Sequence, residues 1–109
     1  MIEWSTVENL KAEIGAEDFG DVVEVFLEEV EEKLAGLGQT PPEDLGAAFH
    51  FLKGSALYLG FKSMSDHCGA AEAAAKAGNI DQIDIPRTAE IYAQSKTAFQ
   101  SGMAQRAAS

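Results

Sequence analysis

The chain has 109 residues, which fits one domain and leaves no room for a two-domain enzyme with a cleft between its domains. Its formal net charge of −10 argues against nucleic acid and anionic membrane surfaces as partners, and no apolar run approaches the ~18 residues of a membrane span. The single cysteine, Cys68, excludes an internal disulfide, and the N-terminal residues do not resemble a signal peptide, so we expect a cytoplasmic protein.

The acidic residues are concentrated in the first part of the chain. Residues 1–44 carry 13 acidic and two basic side chains, whereas residues 45–109 carry five acidic and six basic ones. Charge runs of this kind usually cover a solvent-exposed helix face. The second interpretation is that the later part keeps a less acidic face for an acidic partner.

Helical spacing of apolar residues predicts two helices before residue 37. The segment Ser5-Thr6-Val7-Glu8 matches a capping box and should start a short first helix that ends near Gly15. Asp18 is expected to cap a second helix that ends near Gly36. The predicted inner face of this second helix comprises Phe19, Val23, Phe26, Val30 and Leu34, with Val22 at its edge and Val25 outside it.

Three more helices are expected after a break rich in glycine and proline at residues 36–42. Thr40 should cap the third helix, which reaches Gly60, and the fourth should begin at Ser63 or Ser65. The last helix should begin near residue 85 and fray after residue 103. Its inner residues are predicted to be Ile91, Ala98 and Phe99.

Together the segments predict an all-α fold. Four long helices joined by short loops favour an antiparallel up-down four-helix bundle, here with a short additional N-terminal helix.

The third helix carries the residues that indicate a function. Its predicted inner face comprises Leu45, Phe49, Leu52, Ala56 and Leu59. His50 is rotated by about 100° from Phe49, so we expect it at the border of the core or outside it. Gly46 precedes His50 by four residues, and Lys53 and Gly54 follow it by three and four, the positions that flank a helical side chain.

This arrangement suits a histidine that carries a phosphoryl group. Each interior glycine costs about 1 kcal/mol relative to alanine, which indicates that another molecule must approach His50 closely. A neutral imidazole offers a lone pair, and Lys53 could offset the negative charge of a phosphoryl group. The chain shows no P-loop, kinase signature or obvious Mg²⁺ site, so a partner would have to supply the metal. The alternative is an ordinary surface histidine.

Two segments resemble known motifs. The first, His50-Phe51-Leu52-Lys53-Gly54-Ser55-Ala56-Leu57-Tyr58-Leu59-Gly60, resembles the His-x-Leu-Lys-Gly-Ser motif of histidine-containing phosphotransfer (HPt) domains in two-component phosphorelays. The second, Met64-Ser65-Asp66-His67-Cys68-Gly69-Ala70-Ala71-Glu72, resembles the motif on that family's next helix, with His67 and Ala71 where leucine is usual. The resemblance covers about residues 5–105 and implies a single HPt-like domain over residues 1–109.

The resemblance also implies roles for individual residues and for partners. His50 would be the phosphorylated residue, Lys53 would assist with phosphate charge, and Gly54 would let a partner's active site approach. The protein would be a reversible phosphoryl carrier between receiver-domain aspartates, without kinase activity of its own. Its partners would be response-regulator receiver domains and a sensor histidine kinase, which can be of the hybrid type. It would need no cofactor of its own, because the receiver supplies Mg²⁺, and we expect a monomer.

Further candidates and alternatives remain open. The candidate binding residues are Gly46, Gly54, Ser55, Leu57, Val22 and Val25. His67 is interpreted as a boundary histidine with a structural hydrogen bond, and Cys68 as a small buried hydrophobic residue. The rival function is a non-catalytic helical adaptor that binds a receiver or kinase domain through the same face. A third is a metal-binding bundle, which the spacing of histidine and cysteine does not favour. Met1 at the start favours a stand-alone protein.

Overall fold

The computed structural model describes residues 1–108 and the side chains of residues 1–107. It contains five α-helices and two single turns of 3₁₀-helix, at Leu37–Gln39 and Ile80–Gln82. The helices are α1 (Trp4–Ile14), α2 (Ala16–Ala35), α3 (Pro42–Leu59), α4 (Lys62–Lys76) and α5 (Ile85–Ala108). No strand occurs within the described residues, so the predicted all-α fold is confirmed.

Side-chain contacts between neighbouring helices show that α2 to α5 alternate in direction. On α2 and α3, Phe26 stacks on Tyr58, and Lys33 lies over the Phe51 ring nearer the other end of the pair. Between α3 and α4, Gly46 lies opposite Ala75 and the later Lys53 lies against the earlier Gly69, so these two helices are also antiparallel. The α5 helix closes the bundle against α2, where the Lys96 ammonium lies 2.6 Å from a Glu31 carboxylate oxygen.

The α5 helix begins at Ile85 as predicted, but α1 and α2 begin at different residues from those that the sequence predicted. Ser5 does not cap α1, because the Glu3 carbonyl already accepts hydrogen bonds from the amides of Thr6 and Val7, at 3.0 and 3.2 Å. Asp18 lies inside the first turn of α2, after Gly15 with a φ of 98°. In both cases the backbone begins the helix upstream of the predicted cap.

The starts of α3 and α4 also differ. Thr40 does not cap α3, since its hydroxyl donates back to the carbonyl of Gly36 at 2.9 Å, and Pro41 takes the cap position. The α4 helix begins at Lys62 rather than at a serine. The end of α3 agrees with the prediction, because Gly60 has a φ of 78°, the left-handed conformation that ends a helix.

The core confirms most predicted inner positions and corrects several. On α2, Leu27 is buried, whereas the predicted Phe26 and Leu34 are half-buried. Leu37, predicted to lie in a break between helices, is fully buried in its 3₁₀ turn. On α5, the predicted burial of Phe99 is confirmed, but Ile91 and Ala98, also predicted to face inward, are half-buried. The other buried side chains of that helix are Thr88, Tyr92 and Ser95.

The end of α5 is ordered by contacts with α1, so the predicted fraying after residue 103 is wrong for the described part of the helix. The Trp4 ring stacks on Phe99 with 6.0 Å between ring centroids. The Arg106 guanidinium lies 4.1 Å from the centre of the Trp4 ring and 2.6 Å from a carboxylate oxygen of Glu8. A Cβ at Gly102 would lie 2.0 Å from Trp4, so only glycine fits there without movement.

In residues 1–108, no helix has the length and apolarity that crossing a membrane requires.

Candidate functional site

His50 lies in the middle of α3 with 70% of its side chain exposed. This position agrees with the predicted rotation away from the inner face, because Phe49 beside it is fully buried. One turn further along α3, Gly54 is also exposed. A Cβ at Gly54 would meet no atom within 4 Å beyond its own helical turn. The imidazole is therefore open to another molecule from this side.

Glu72 of α4 lies beneath the histidine and connects three side chains. His50 Nδ1 is 2.9 Å from Glu72 Oε2, and the Lys76 ammonium is 3.0 Å from the same oxygen. The Lys53 ammonium is 2.6 Å from the other oxygen, Oε1. The Glu72 side chain is only 5% exposed. We call these four residues the Glu72 cluster: His50, Lys53, Glu72 and Lys76.

The carboxyl group of Glu72 is ionised over the physiological range. The hydrogen bond from Lys53 and then that from Lys76 lower its pKa from 4.5 to about 2, while burial opposes the shift and His50 adds to it. An ionised carboxylate only accepts hydrogen bonds, so His50 Nδ1 must carry the proton that it donates. In the neutral imidazole, Nε2 then holds the lone pair.

The stem of Lys53 crosses α4 to reach Glu72. A Cβ at Gly69 would lie 3.5 Å from Lys53 Cδ, an ordinary van der Waals distance, so the lysine stem lies directly against α4. This contact explains why Lys53 is only 33% exposed although it is on the outer half of α3. Lys53 is thereby held on the same side of the bundle as His50.

Two residues expected at the binding surface lie elsewhere. Ser55 is buried, with 5% of the residue exposed, because it lies on the inner side of α3. Gly46 is half-buried, and a Cβ there would lie 3.8 Å from the Cβ of Ala75 on α4. That glycine therefore lies at the contact between α3 and α4 rather than in an opening above His50. The expectation that Gly46 and Ser55 offer a binding surface is corrected accordingly.

The remaining candidate binding residues lie at the surface. Val25 of α2 and Leu57 of α3 are 51% and 57% exposed, and Val22 is half-buried at the edge of the core. Tyr58 is 40% exposed, with its ring stacked on Phe26 at 4.4 Å between centroids. We call the exposed residues Val25, Leu57 and Tyr58 the apolar patch. Leu57 follows His50 by two helical turns, so it lies on the face of α3 that His50 and Gly54 occupy.

His67 and Cys68 have the structural roles that the sequence predicted. His67 Nε2 lies 2.7 Å from the Thr88 hydroxyl, so the histidine joins α4 to α5. Burial lowers the pKa of His67, as does Arg87. Cys68 is fully buried, and burial raises the pKa of its thiol to about 12, so the thiolate that reacts and binds metals is not formed near neutral pH. Within residues 1–108, no three His, Cys, Asp or Glu residues form a group able to hold a metal ion.

The contacts of Glu72 and Lys76 with the site are not predicted by the sequence. In the sequence Glu72 is only the end of the second motif, and its spacing of four residues from Lys76 is that of a common helix-surface pair. The contact with His50 joins residues separated by 22 positions. The only signal was that two helices of similar length, joined by a tight turn at Gly60, must be antiparallel, which brings residues at similar distances before and after the turn close together.

Comparison with known proteins identifies the family of this chain. The model of the family described as Hpt domain matches residues 21–105, which include the whole Glu72 cluster. The comparisons with curated proteins and with solved structures found no match. Because the family match spans most of the helical bundle, the chain belongs to the Hpt domain family, whose members transfer phosphoryl groups in two-component phosphorelays.

Proposed function

We propose that the protein is a phosphorelay carrier that accepts a phosphoryl group on His50 Nε2 from a receiver-domain aspartate and passes it on to another. The observation that carries the proposal is the hydrogen bond from His50 Nδ1 to Glu72. It leaves Nε2 with the lone pair on an imidazole that is 70% exposed.

The chemical step needs little from this chain beyond that lone pair. Nε2 attacks the phosphorus of the receiver's acyl phosphate, the N–P bond forms, and the P–O bond breaks with its electrons returning to the aspartate carboxylate. The proton on Nδ1 stays in place, so the imidazole ring becomes cationic as the bond forms. The ionised Glu72 beside Nδ1 stabilises that cation, as the aspartate does for the histidine of a Ser-His-Asp triad. The reverse reaction uses the same contacts.

Lys53 offsets the charge of the transferred group. Its ammonium is held on Glu72 Oε1 and is one turn from His50, within reach of a phosphoryl oxygen when a partner docks. Phosphoryl transfer depends mainly on alignment and charge stabilisation. We propose that the receiver domain supplies the Mg²⁺ and the rest of the site, so this chain acts as a carrier without kinase activity of its own.

Receiver docking is proposed on the face formed by Gly54 and the apolar patch. Gly54 lets the partner's loops approach the imidazole, and the exposed Leu57 and Val25 offer apolar area around it. The half-buried Val22 is a candidate for the rim of that contact.

We propose one Hpt-type domain over residues 1–109, active as a cytoplasmic monomer. Its partners would be response regulators and a sensor histidine kinase, hybrid or not.

Intact-mass spectrometry after incubation with a phosphorylated receiver domain tests this function. The wild-type protein should gain one acid-labile phosphoryl group, and His50→Gln should gain none. His67→Gln is the matched control, because it removes the other histidine, which joins α4 to α5 away from Glu72, and it should still be labelled. A protein that binds receivers but is never labelled would instead be the non-catalytic adaptor. Labelling that persists in His50→Gln would refute the assignment of the site.

A further inference from the structure

An open groove lies between α2 and α3, next to the turn of α3 that carries the histidine. Its volume is about 520 Å³, and it is lined by Glu29, Glu32, Lys33, Gly36, Thr40 and Phe51. Phe51 is half-buried and directly follows His50 in the chain. We call this cavity the α2–α3 groove.

The α2–α3 groove continues the apolar patch along the contact between the two helices. On α2, Glu29 follows Val25 by four residues, so both lie on one flank of the helix. On α3, Phe51 precedes Tyr58 by two turns and shares its flank, which faces α2 because Tyr58 stacks on Phe26. A receiver that covers Val25 and Tyr58 therefore needs to extend by only about 5.4 Å, one helical turn, to cover the groove.

The groove has two carboxylates that the chain leaves unneutralised. Glu29 and Glu32 are exposed, and among the described residues neither has an ion-pair partner within 4.0 Å. Lys33 follows Glu29 by four residues, the favourable order for a helix ion pair. Its ammonium instead lies over the Phe51 ring, 5.5 Å from the centroid. The groove thus combines an acidic wall with an aromatic ring whose face already holds a cation.

The opposite flank of α2 is also acidic but differs in its contacts. Glu24, Glu28 and Glu31 lie on the side toward α5. There the Lys96 ammonium is 2.6 Å from a Glu31 carboxylate oxygen, so part of the charge is neutralised within the chain. This flank faces away from α3 and the histidine. Its glutamates therefore provide a control that has the same charge and lies on the same helix.

Resting on the proposed function, we propose that the α2–α3 groove binds a lysine or arginine side chain of the docked receiver and so selects receivers with a basic docking rim. Glu29 and Glu32 neutralise that side chain, and the Phe51 ring packs against it by the cation–π contact that Lys33 makes in the free protein. Lys33 is exposed and has no ion pair among the described residues, so a partner's cation displaces it easily.

Selection follows from the charge of the whole chain. A formal net charge of −10 repels acidic partners, and the two carboxylates beside the apolar patch concentrate the attraction for basic ones at the docking face. Charges at the rim of an interface act mainly on the association rate and its dependence on salt. The groove therefore raises kcat/KM for transfer from receivers with a basic rim.

The test compares two double variants of the full chain. Glu29→Gln with Glu32→Gln removes the carboxylates of the groove, and Glu24→Gln with Glu28→Gln removes two from the other flank, so the net charge changes equally. The phosphoryl donor is a phosphorylated receiver whose docking rim carries lysine or arginine. At about 50 mM NaCl the groove variant should lower kcat/KM about three- to tenfold and the control by less than about twofold. At about 500 mM NaCl the two variants should converge.

Equal kcat/KM in the two variants at low salt would overturn the proposal, as would a loss that high salt does not reduce. A receiver with a neutral rim should transfer equally to both variants, and a preference there would also contradict the selection. Calorimetric titration with the unphosphorylated receiver separates docking from chemistry. If the groove variant weakens this binding but His50 is never labelled, the relay function fails and the groove assignment is supported. If no receiver binds or labels the protein, both proposals fail.

Discussion

Glu72 and His50 are joined across the α3–α4 interface by a hydrogen bond of 2.9 Å between Oε2 and Nδ1. The Glu72 carboxylate is buried and the His50 imidazole is exposed, so the group that orients the ring is protected from solvent while the ring itself is open to it. The orientation of the histidine is therefore set by α4 rather than by its own helix.

Replacing Glu72 by Gln should slow transfer without removing the nucleophile. The amide can donate to Nδ1 as well as accept from it, so the ring is no longer held in the tautomer with the lone pair on Nε2. We expect transfer to His50 to fall about tenfold to hundredfold, the loss typical of removing a group that orients a histidine ligand in metal sites. Transfer kinetics and ¹⁵N NMR of the imidazole would measure the two effects. Glu31→Gln is the control, and equal transfer rates in both variants would contradict the orienting role.

Glu72 should also make stability depend on pH in the acid range. Its pKa is lowered in the folded state to about 2 from an ordinary 4.5, so its stabilising contribution is complete above pH 4.5 and is lost as the pH falls toward 2. The difference in the free energy of unfolding between wild type and Glu72→Gln should shrink over that interval. Urea denaturation at pH 7, 4 and 3 would measure it. A difference that stays constant between pH 7 and 3 would show that Glu72 is not held ionised.

Filling the opening beside His50 should block transfer and spare the fold. A Cβ at Gly54 meets no atom within 4 Å beyond its own helical turn, so Gly54→Leu should keep or raise the melting temperature, since glycine is a poor helix former. The larger side chain would stand where a partner must approach, so we expect transfer to fall at least tenfold. Gly20→Leu, at an exposed and equally open helical position on α2, is the control. Normal transfer in Gly54→Leu would remove the glycine from the docking surface.

A charge in the apolar patch should weaken docking. Leu57→Asp and Val25→Asp place carboxylates at exposed positions, so each variant should fold normally. If a receiver covers these residues, the carboxylate loses water on binding, and we expect kcat/KM for transfer to fall about tenfold, which corresponds to about 1.4 kcal/mol. Ala93→Asp is the control, because Ala93 is exposed on α5 and lies outside the patch. Each variant that transfers as well as this control would be excluded from the interface.

Leu37 should contribute to stability although it lies in a connection. Its side chain is fully buried, and Leu37→Ala should lower the free energy of unfolding by about 2–5 kcal/mol, the usual cost of such a truncation in a core. Gly38→Ala, at the next and exposed residue, should change it little. Urea unfolding measures both, and equal stabilities would mean that the turn is not part of the core.

The spacing of residues within each helix was sufficient to predict the helices and the exposure of His50, but not the residues that cap the helices. The spacing of Phe49 and Leu52 placed the inner face of α3, and the offset of His50 from it gave its exposure. Ser5 and Thr40 are good capping residues by composition, yet the backbone began the helices elsewhere. The reason is that the amide of Glu3 donates a hydrogen bond to the carbonyl of Gly60, and that the hydroxyl of Thr40 donates one to the carbonyl of Gly36. Such long-range and loop contacts outweigh a capping preference of about 1 kcal/mol.

By itself the sequence determined the helical class and the exposure of His50 and Gly54, with Lys53 on the same side of α3, because each depends on spacing within one helix. Only the tertiary structure decided that Glu72 lies under His50, that Lys53 reaches the same carboxylate, and that Gly46 faces Ala75. These relationships depend on the packing register of α3 against α4. If that register changed by one residue, the Glu72 side chain would be rotated away from the imidazole. That register results from the packing of the whole core, and no single segment specifies it.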